Sequence, residues 1–116
     1  MFIDATAIGF PLTEAIRRHV QSRLESALGP FARFVVRATV RIQDVNSSRG
    51  GSDKRCSVLV ALRRRGVVAA GVTDQDLYAA VNRVADRIRR AVKRSVTRRL
   101  SRERRDSQRL STLVTI

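Results

Sequence analysis

The chain has 116 residues, with 24 Lys plus Arg against 10 Asp plus Glu, a formal net charge of +14, and 43% hydrophobic and 29% charged residues. That length suits one domain with a real hydrophobic core, and the composition is neither that of a disordered chain nor that of a membrane protein. Basicity this strong in a small chain selects a polyanion, nucleic acid before an anionic membrane surface. Arginines number 22 and lysines only two, Lys54 and Lys93, which agrees with bidentate gripping of phosphate. The longest apolar run, Val58 to Leu62, is far short of the roughly 20 residues of a spanning helix. Residues 1 to 9 have no basic flank and carry Asp4, so they do not resemble a secretory signal. The single cysteine, Cys56, excludes an internal disulfide framework and fits a reducing, cytoplasmic setting.

In chain order, "MFIDATAI" alternates as a strand, with Ile3 and Ala5 on one face. "PLTEAIRRHVQSRLESALGP" predicts a helix with both ends marked: Thr13 as N-cap, Glu14 at the positive end of the dipole, and Gly29-Pro30 as the stop. Ile16, Val20, Leu24 and Leu28 form its buried stripe. "RFVVRATVRIQD" predicts a strand with Phe34, Val36, Ala38, Val40 and Ile42 turned one way. Val35, Arg37, Thr39, Arg41 and Gln43 turn the other way. "NSSRGGSD", residues 46 to 53, is a connection rich in turn formers. "RCSVLVALR" then buries Cys56, Val58, Val60 and Leu62, and "RRG" turns it into "VVAAGVT", giving a hairpin.

Asp74 is the expected N-cap of the second helix, with Asp76 in its first turn. Leu77, Val81, Val84, Ile88 and Val92 fall in one sector of the helical wheel and make the core stripe. The stripe weakens after Val96, so residues 1–100 are expected to form the domain and residues 101–116 a frayed helix end and mobile, polar tail. The result is an α+β fold in the order β-α-β-β-β-α, with two helices on one face of a four-stranded, mostly antiparallel sheet.

On the second helix, Arg83, Arg87, Arg90, Arg94 and Arg98 share a sector turned away from the core stripe. Their line is about 22 Å long at 1.5 Å per residue, enough to meet several phosphates of one strand. A merely solvated face usually mixes signs, because like charges at i,i+4 repel; this ridge contains no acid. It would recognise phosphate and shape, not bases. Arg37, Arg41, Arg55 and Arg63 add charge to the open sheet face, where surface solubility explains them equally well. Arg17, Arg18 and Arg23 on the first helix are similarly ambiguous. The five aromatics do not make the paired sheet-face pattern on which single-stranded RNA stacks.

Catalysis finds little support. His19 is the sole histidine, Cys56 sits among core positions, and there is neither a Cys/His cluster for zinc nor a glycine loop for a nucleotide. No enzyme, cofactor, metal or small-molecule substrate is expected. A membrane-surface role is disfavoured because the valines of the second helix face the core and bulky interfacial aromatics are missing.

The element order is shared with the double-stranded-RNA-binding domain, which places a lysine cluster at the N-terminus of its last helix. Here that end reads "TDQDLYAAV", acidic and without basic residues. The chain instead resembles the ribosome hibernation-promoting factor family, with its ribosome-associated inhibitors, over about residues 1 to 100. The likeness is carried by "MFIDATAIGFPLTEAIRRHV", by "DLYAAV" at Asp76 to Val81, and by "NRVADRIRRAVKR" with Asp86, Arg87, Arg90 and Arg94 at the family's acidic and basic positions. Departures are Ala7 in place of a glycine, a long loop at residues 46 to 53, and additional basics at Arg89 and Lys93.

The resemblance implies a factor lodged in the small ribosomal subunit near the decoding centre, blocking messenger and transfer RNA and holding ribosomes inactive under stress. Arg87, Arg90 and Arg94 inherit an rRNA-contacting role from it. Arg83 and Arg98 join them from the wheel, and Lys93, Arg37 and Arg41 complete the expected RNA-binding set. Long members carry a further C-terminal dimerisation domain; the chain is either a short form or the first part of a long one, and dimerisation is expected only in the second case. The alternative from another class is a general nucleic-acid-binding or RNA-chaperone module.

Overall fold

A computed structural model describes residues 1–45, 53–64 and 66–114, with side chains described as far as residue 110. The elements are β1 (Phe2–Ile8), α1 (Glu14–Leu28), a short 3-10 helix (Gly29–Phe34), β2 (Val35–Val45), β3 (Asp53–Leu62), β4 (Val67–Asp74) and α2 (Leu77–Val114). The expected α+β order is therefore present, and the sheet runs β1-β2-β3-β4. β1 pairs parallel to β2 through the α1 crossover, while β2–β3 and β3–β4 are antiparallel. Residues 46 to 52 of the turn-rich connection lie outside the described residues.

Alternation makes the sheet two-sided. Ala38, Val40, Ile42, Cys56, Val58, Val60, Leu62 and Val72 are buried beneath the helices. Arg37, Thr39, Arg41, Arg55, Leu59, Val67, Ala69 and Thr73 are exposed on the other face. Burial pushes the Cys56 thiol up to about 12, so it stays protonated and packs as a small apolar group. From the helices come Val20, Leu24 and Leu28 of α1 and Ala80, Val81, Val84, Ala85, Ile88, Val92 and Val96 of α2, all buried. Among the described residues no charged or polar side chain is buried in this core.

The helix starts follow from side-chain oxygens replacing missing backbone partners. Thr13 Oγ1 accepts from the Ile16 N–H at 3.3 Å. α1 ends where expected, but Gly29 has φ −49° and so uses none of glycine's left-handed freedom. The stop belongs to Pro30, whose ring disfavours continuation and which opens the 3-10 turn.

Three expectations need correction. The first concerns β2, where Val35 is fully buried and Val36 is 44% exposed, the reverse of strict alternation. The register shifts between Val35 and Arg37, so a bulge adds one residue and turns Val35 to the core side. Phe34, in the preceding 3-10 helix, packs against the core as expected. The second is the cap of α2. Asp76, not Asp74, accepts from the Tyr78 and Ala79 N–H groups, at 2.9 and 3.4 Å. Asp74 is the last residue of β4; it accepts from the Asp76 N–H at 3.0 Å and from Arg83 at 3.0 Å.

The third is the C-terminal stretch, which continues as helix to Val114, giving α2 a length of about 57 Å at 1.5 Å per residue. Residues 101 to 110 are all exposed, so this part leaves the body. Arginine-rich sequence with Glu103 and Asp106 suffices for helix by propensity and by pairs such as Arg99–Glu103 at 3.3 Å. At the point of departure the Arg99 guanidinium lies 5.6 Å from the centre of the Phe34 ring and donates to the Arg63 carbonyl, tying α2 to the end of the sheet.

The bulge predicts unequal costs for two neighbouring valines. Val35→Ala should lose about 2 kcal/mol in a denaturant titration, whereas Val36→Ala should stay within about 0.5 kcal/mol. The backbone N–H of Asp76, and then Arg83, hold the Asp74 carboxyl below its ordinary value. A depressed folded pKa contributes stability that is present above about pH 4 and lost as pH falls through the folded value. Asp74→Asn should therefore remove part of the acid-side fall in melting temperature between about pH 5 and pH 2.

Candidate nucleic-acid interface

The buried side of α2 decides what its other side presents. With Val81, Val84, Ile88 and Val92 essentially inaccessible, the helix cannot rotate about its axis without exposing them. Arg83, Arg87, Arg90, Arg94 and Arg98 are accordingly all exposed, and the predicted ridge exists. Its members are not equivalent. Arg83 is held by Asp74 at 3.0 Å, which lowers its availability to an outside anion. Arg87 donates to the Gly71 carbonyl at 3.0 Å, a neutral acceptor that leaves the positive charge uncompensated. Arg90, Arg94 and Arg98 have no ion pair or side-chain hydrogen bond among the described residues.

Lys93 joins the distal half of the ridge, where it shares a shallow concavity with Arg94, Thr97 and Arg98. Arg89 lies on the flank beside Arg23 and Asp86, and Arg23 reaches Asp86 at 3.8 Å. The one acid inside the basic stretch is thus turned toward α1, away from the ridge.

A groove runs between the ridge and the outer edge of the sheet. Its floor is small, formed by Ala69, Ala70, Gly71 and Ala91, and Arg87, Arg90 and Arg94 form its wall. Small residues below and guanidinium groups beside make a trough suited to a charged backbone more than to an apolar ligand.

Arg37 and Arg41 are exposed, but on the open face of the sheet, opposite the helices. The structure does not bring them onto the ridge. Arg37 faces Asp4 at 3.6 Å and is partly neutralised. Arg41 has no such partner among the described residues and shares a wide concavity with Thr39, Gln43, Arg55, Ser57 and Gly71. Sequence reasoning left Arg55 undecided and passed over Gly71. The signal for Gly71 was available in principle, since a glycine inside a strand marks a close approach. The spacing of the ridge also continues into the extended helix, where Arg105 falls on the same line; treating these residues as a tail hid that.

His19 is explained structurally. Its Nε2 lies 2.9 Å from Asn82 Oδ1 and its ring meets Tyr78 edge-on at 4.7 Å, so it links α1 to the start of α2. No cluster of three or more His, Cys, Asp or Glu able to hold a metal occurs among the described residues. No helix among them is long and apolar enough to cross a membrane.

Comparison with known proteins accords with this architecture. A curated ribosome hibernation promotion factor of Picosynechococcus sp. is 29% identical over 83 residues, which is 72% of this chain and 42% of the relative. The chain thus spans less than half the length of that relative. The crystal structure of the Thermus thermophilus Protein Y N-terminal domain is similar with a TM-score of 0.61 and 29% identity, over 80% of this chain and 92% of that one. A ribosomal subunit interface protein from Coxiella burnetii has the same fold, with a TM-score of 0.69 at 18% identity over 83% of this chain and 99% of that one. The family model described as sigma 54 modulation protein / S30EA ribosomal protein matches residues 3–100, the strands, α1 and the packed part of α2. The chain belongs to that family, the one its own motifs resemble.

Proposed function

We propose that this protein is a cytoplasmic, non-enzymatic ribosome hibernation factor. In this reading it binds the small ribosomal subunit near the decoding centre, where folded rRNA supplies phosphates from several directions. Occupying the sites of messenger and transfer RNA, it holds ribosomes inactive under stress or in stationary phase. Residues 1–100 are the ribosome-binding unit, and the remainder of α2 extends from it.

The observation that carries the reading is the line Arg87, Arg90, Arg94 and Arg98: exposed, unbroken by any acid, and without a carboxylate partner among the described residues. Keeping these like charges aligned costs stability in the free protein, and an array of phosphates offsets the cost. Lys93 and, through the groove, the edge of β4 widen the contact. Arg83 contributes mainly by orienting the start of α2, because Asp74 already occupies it. Dimerisation of ribosomes is a property to be sought only in a longer chain carrying a further domain.

The ridge offers nothing that reads bases, which keeps a general RNA-binding module as the competing reading. Wild-type protein should pellet with small subunits at moderate salt and inhibit translation in vitro. The combined Arg87→Glu, Arg90→Glu and Arg94→Glu variant should lose both activities while melting within a few degrees of wild type, since all three side chains are exposed. Unchanged pelleting by this variant would remove the ridge from the interface. An excess of bulk duplex RNA should fail to strip wild-type protein from subunits; equal competition would identify the general module, with log affinity falling by about 0.9 per phosphate contact for each log unit of salt.

A further inference from the structure

Gly71 stands where two guanidinium groups from different elements meet one residue. On the open face, a Cβ at this position would lie 2.9 Å from Arg55 Nη2 and 3.4 Å from its Cζ. The Arg55 head therefore rests on bare backbone, and a side chain at position 71 would take its place. At the free edge of β4, Arg87 of α2 donates to the Gly71 carbonyl at 3.0 Å. The N–H and C=O of a residue in an antiparallel strand project to the same side, so the Gly71 N–H faces that free edge as well.

These two cations are brought together without an acid to compensate them. Arg55 has only a long hydrogen bond to Thr73 Oγ1, 3.4 Å, and no salt bridge joins Arg55 or Arg87 to a carboxylate among the described residues. The same glycine lines both concavities: the groove under Arg87, Arg90 and Arg94, and the open-face hollow that holds Arg41 and Arg55. Cross-strand pairing of Arg41 with Ser57 and of Ser57 with Gly71 sets Arg41 in the same row. The basic surface is thus continuous around the β4 edge, and Gly71 is the low point over which it passes.

We propose that a single phosphodiester strand of RNA crosses the free edge of β4 over Gly71, held by Arg87 on the helix side and by Arg55, backed by Arg41, on the open sheet face. The inference rests on the reading of the ridge as an RNA-binding surface and extends it: the protein grips the backbone from two faces, and Gly71 is a positioning residue for Arg55. The absence of a side chain at position 71 serves the approach of the guanidinium and the strand, not a turn, since this glycine lies inside β4. A valine there suits a strand, which keeps the test free of folding failure.

The experiment measures binding of the full chain to purified small ribosomal subunits across a salt series, with melting temperature as the check on folding. Arg55→Gln should weaken binding roughly three- to tenfold and reduce the slope of log affinity against log salt by about one. Gly71→Val should do the same by displacing Arg55, and the double variant should be no weaker than Arg55→Gln alone. Arg55→Lys should keep most of the slope. If Arg55→Gln and Gly71→Val retain wild-type affinity and slope while reversal of Arg87, Arg90 and Arg94 abolishes binding, the strand does not cross β4 and this inference falls by itself. If that ridge reversal also changes nothing, both readings fall together.

Discussion

The contact between α2 and the sheet governs everything else in this molecule. Val81, Val84, Ile88 and Val92 are closed off from solvent against the inner faces of β3 and β4, and burying each contributes on the order of 1.5–3 kcal/mol. That energy opposes two things at once. It overcomes the mutual repulsion of the arginines on the opposite side, and it fixes the rotation of the helix, so that the charges form a line and not a halo. A looser seam would leave the same residues in the sequence without a surface.

The sheet contributes by asymmetry. Its inner face is aliphatic and buried, while its outer face mixes threonine and arginine with exposed apolar side chains such as Leu59 and Val67. β4 presents Ala69, Ala70 and Gly71 beside the arginine wall. Small side chains along that edge keep the arginine wall of α2 accessible from the side. Bulky strand formers there would have filled the trough, and the helix would then present charge to solvent only from above. The strand order β1-β2-β3-β4 leaves β4 at an edge of the sheet, free to serve as a boundary of the basic surface.

Much of this was visible in the sequence because two periodicities, two for strands and 3.6 for helices, register burial directly. The stripe of α2 and the arginine ridge are the same 3.6-residue signal seen from opposite sides, and both appear as expected. What escaped were local exceptions in which one extra residue or one alternative hydrogen bond decides. A bulge near Arg37 reverses Val35 and Val36, and nothing in "FVVR" announces it. Asp74 and Asp76 both have capping chemistry, and only the backbone at the end of β4 selects between them. Helix beyond Leu100 has no buried stripe to reveal it, because its stability comes from propensity and neighbouring charge pairs. The meeting of Arg55 and Arg87 at Gly71 depends on register between strands distant in sequence, which composition does not encode.

The tie between Arg99 and Phe34 has a mechanical consequence. Past it, the helix is a cantilever of about 22 Å, fifteen residues at 1.5 Å each, clamped at Arg99 and with residues 101 to 110 all exposed. A rotation of about 10° at the clamp sweeps the far end through roughly 4 Å over such an arm. The aromatic ring beneath Arg99 is thus the fulcrum that sets where the outermost arginines land, while contributing no charge of its own.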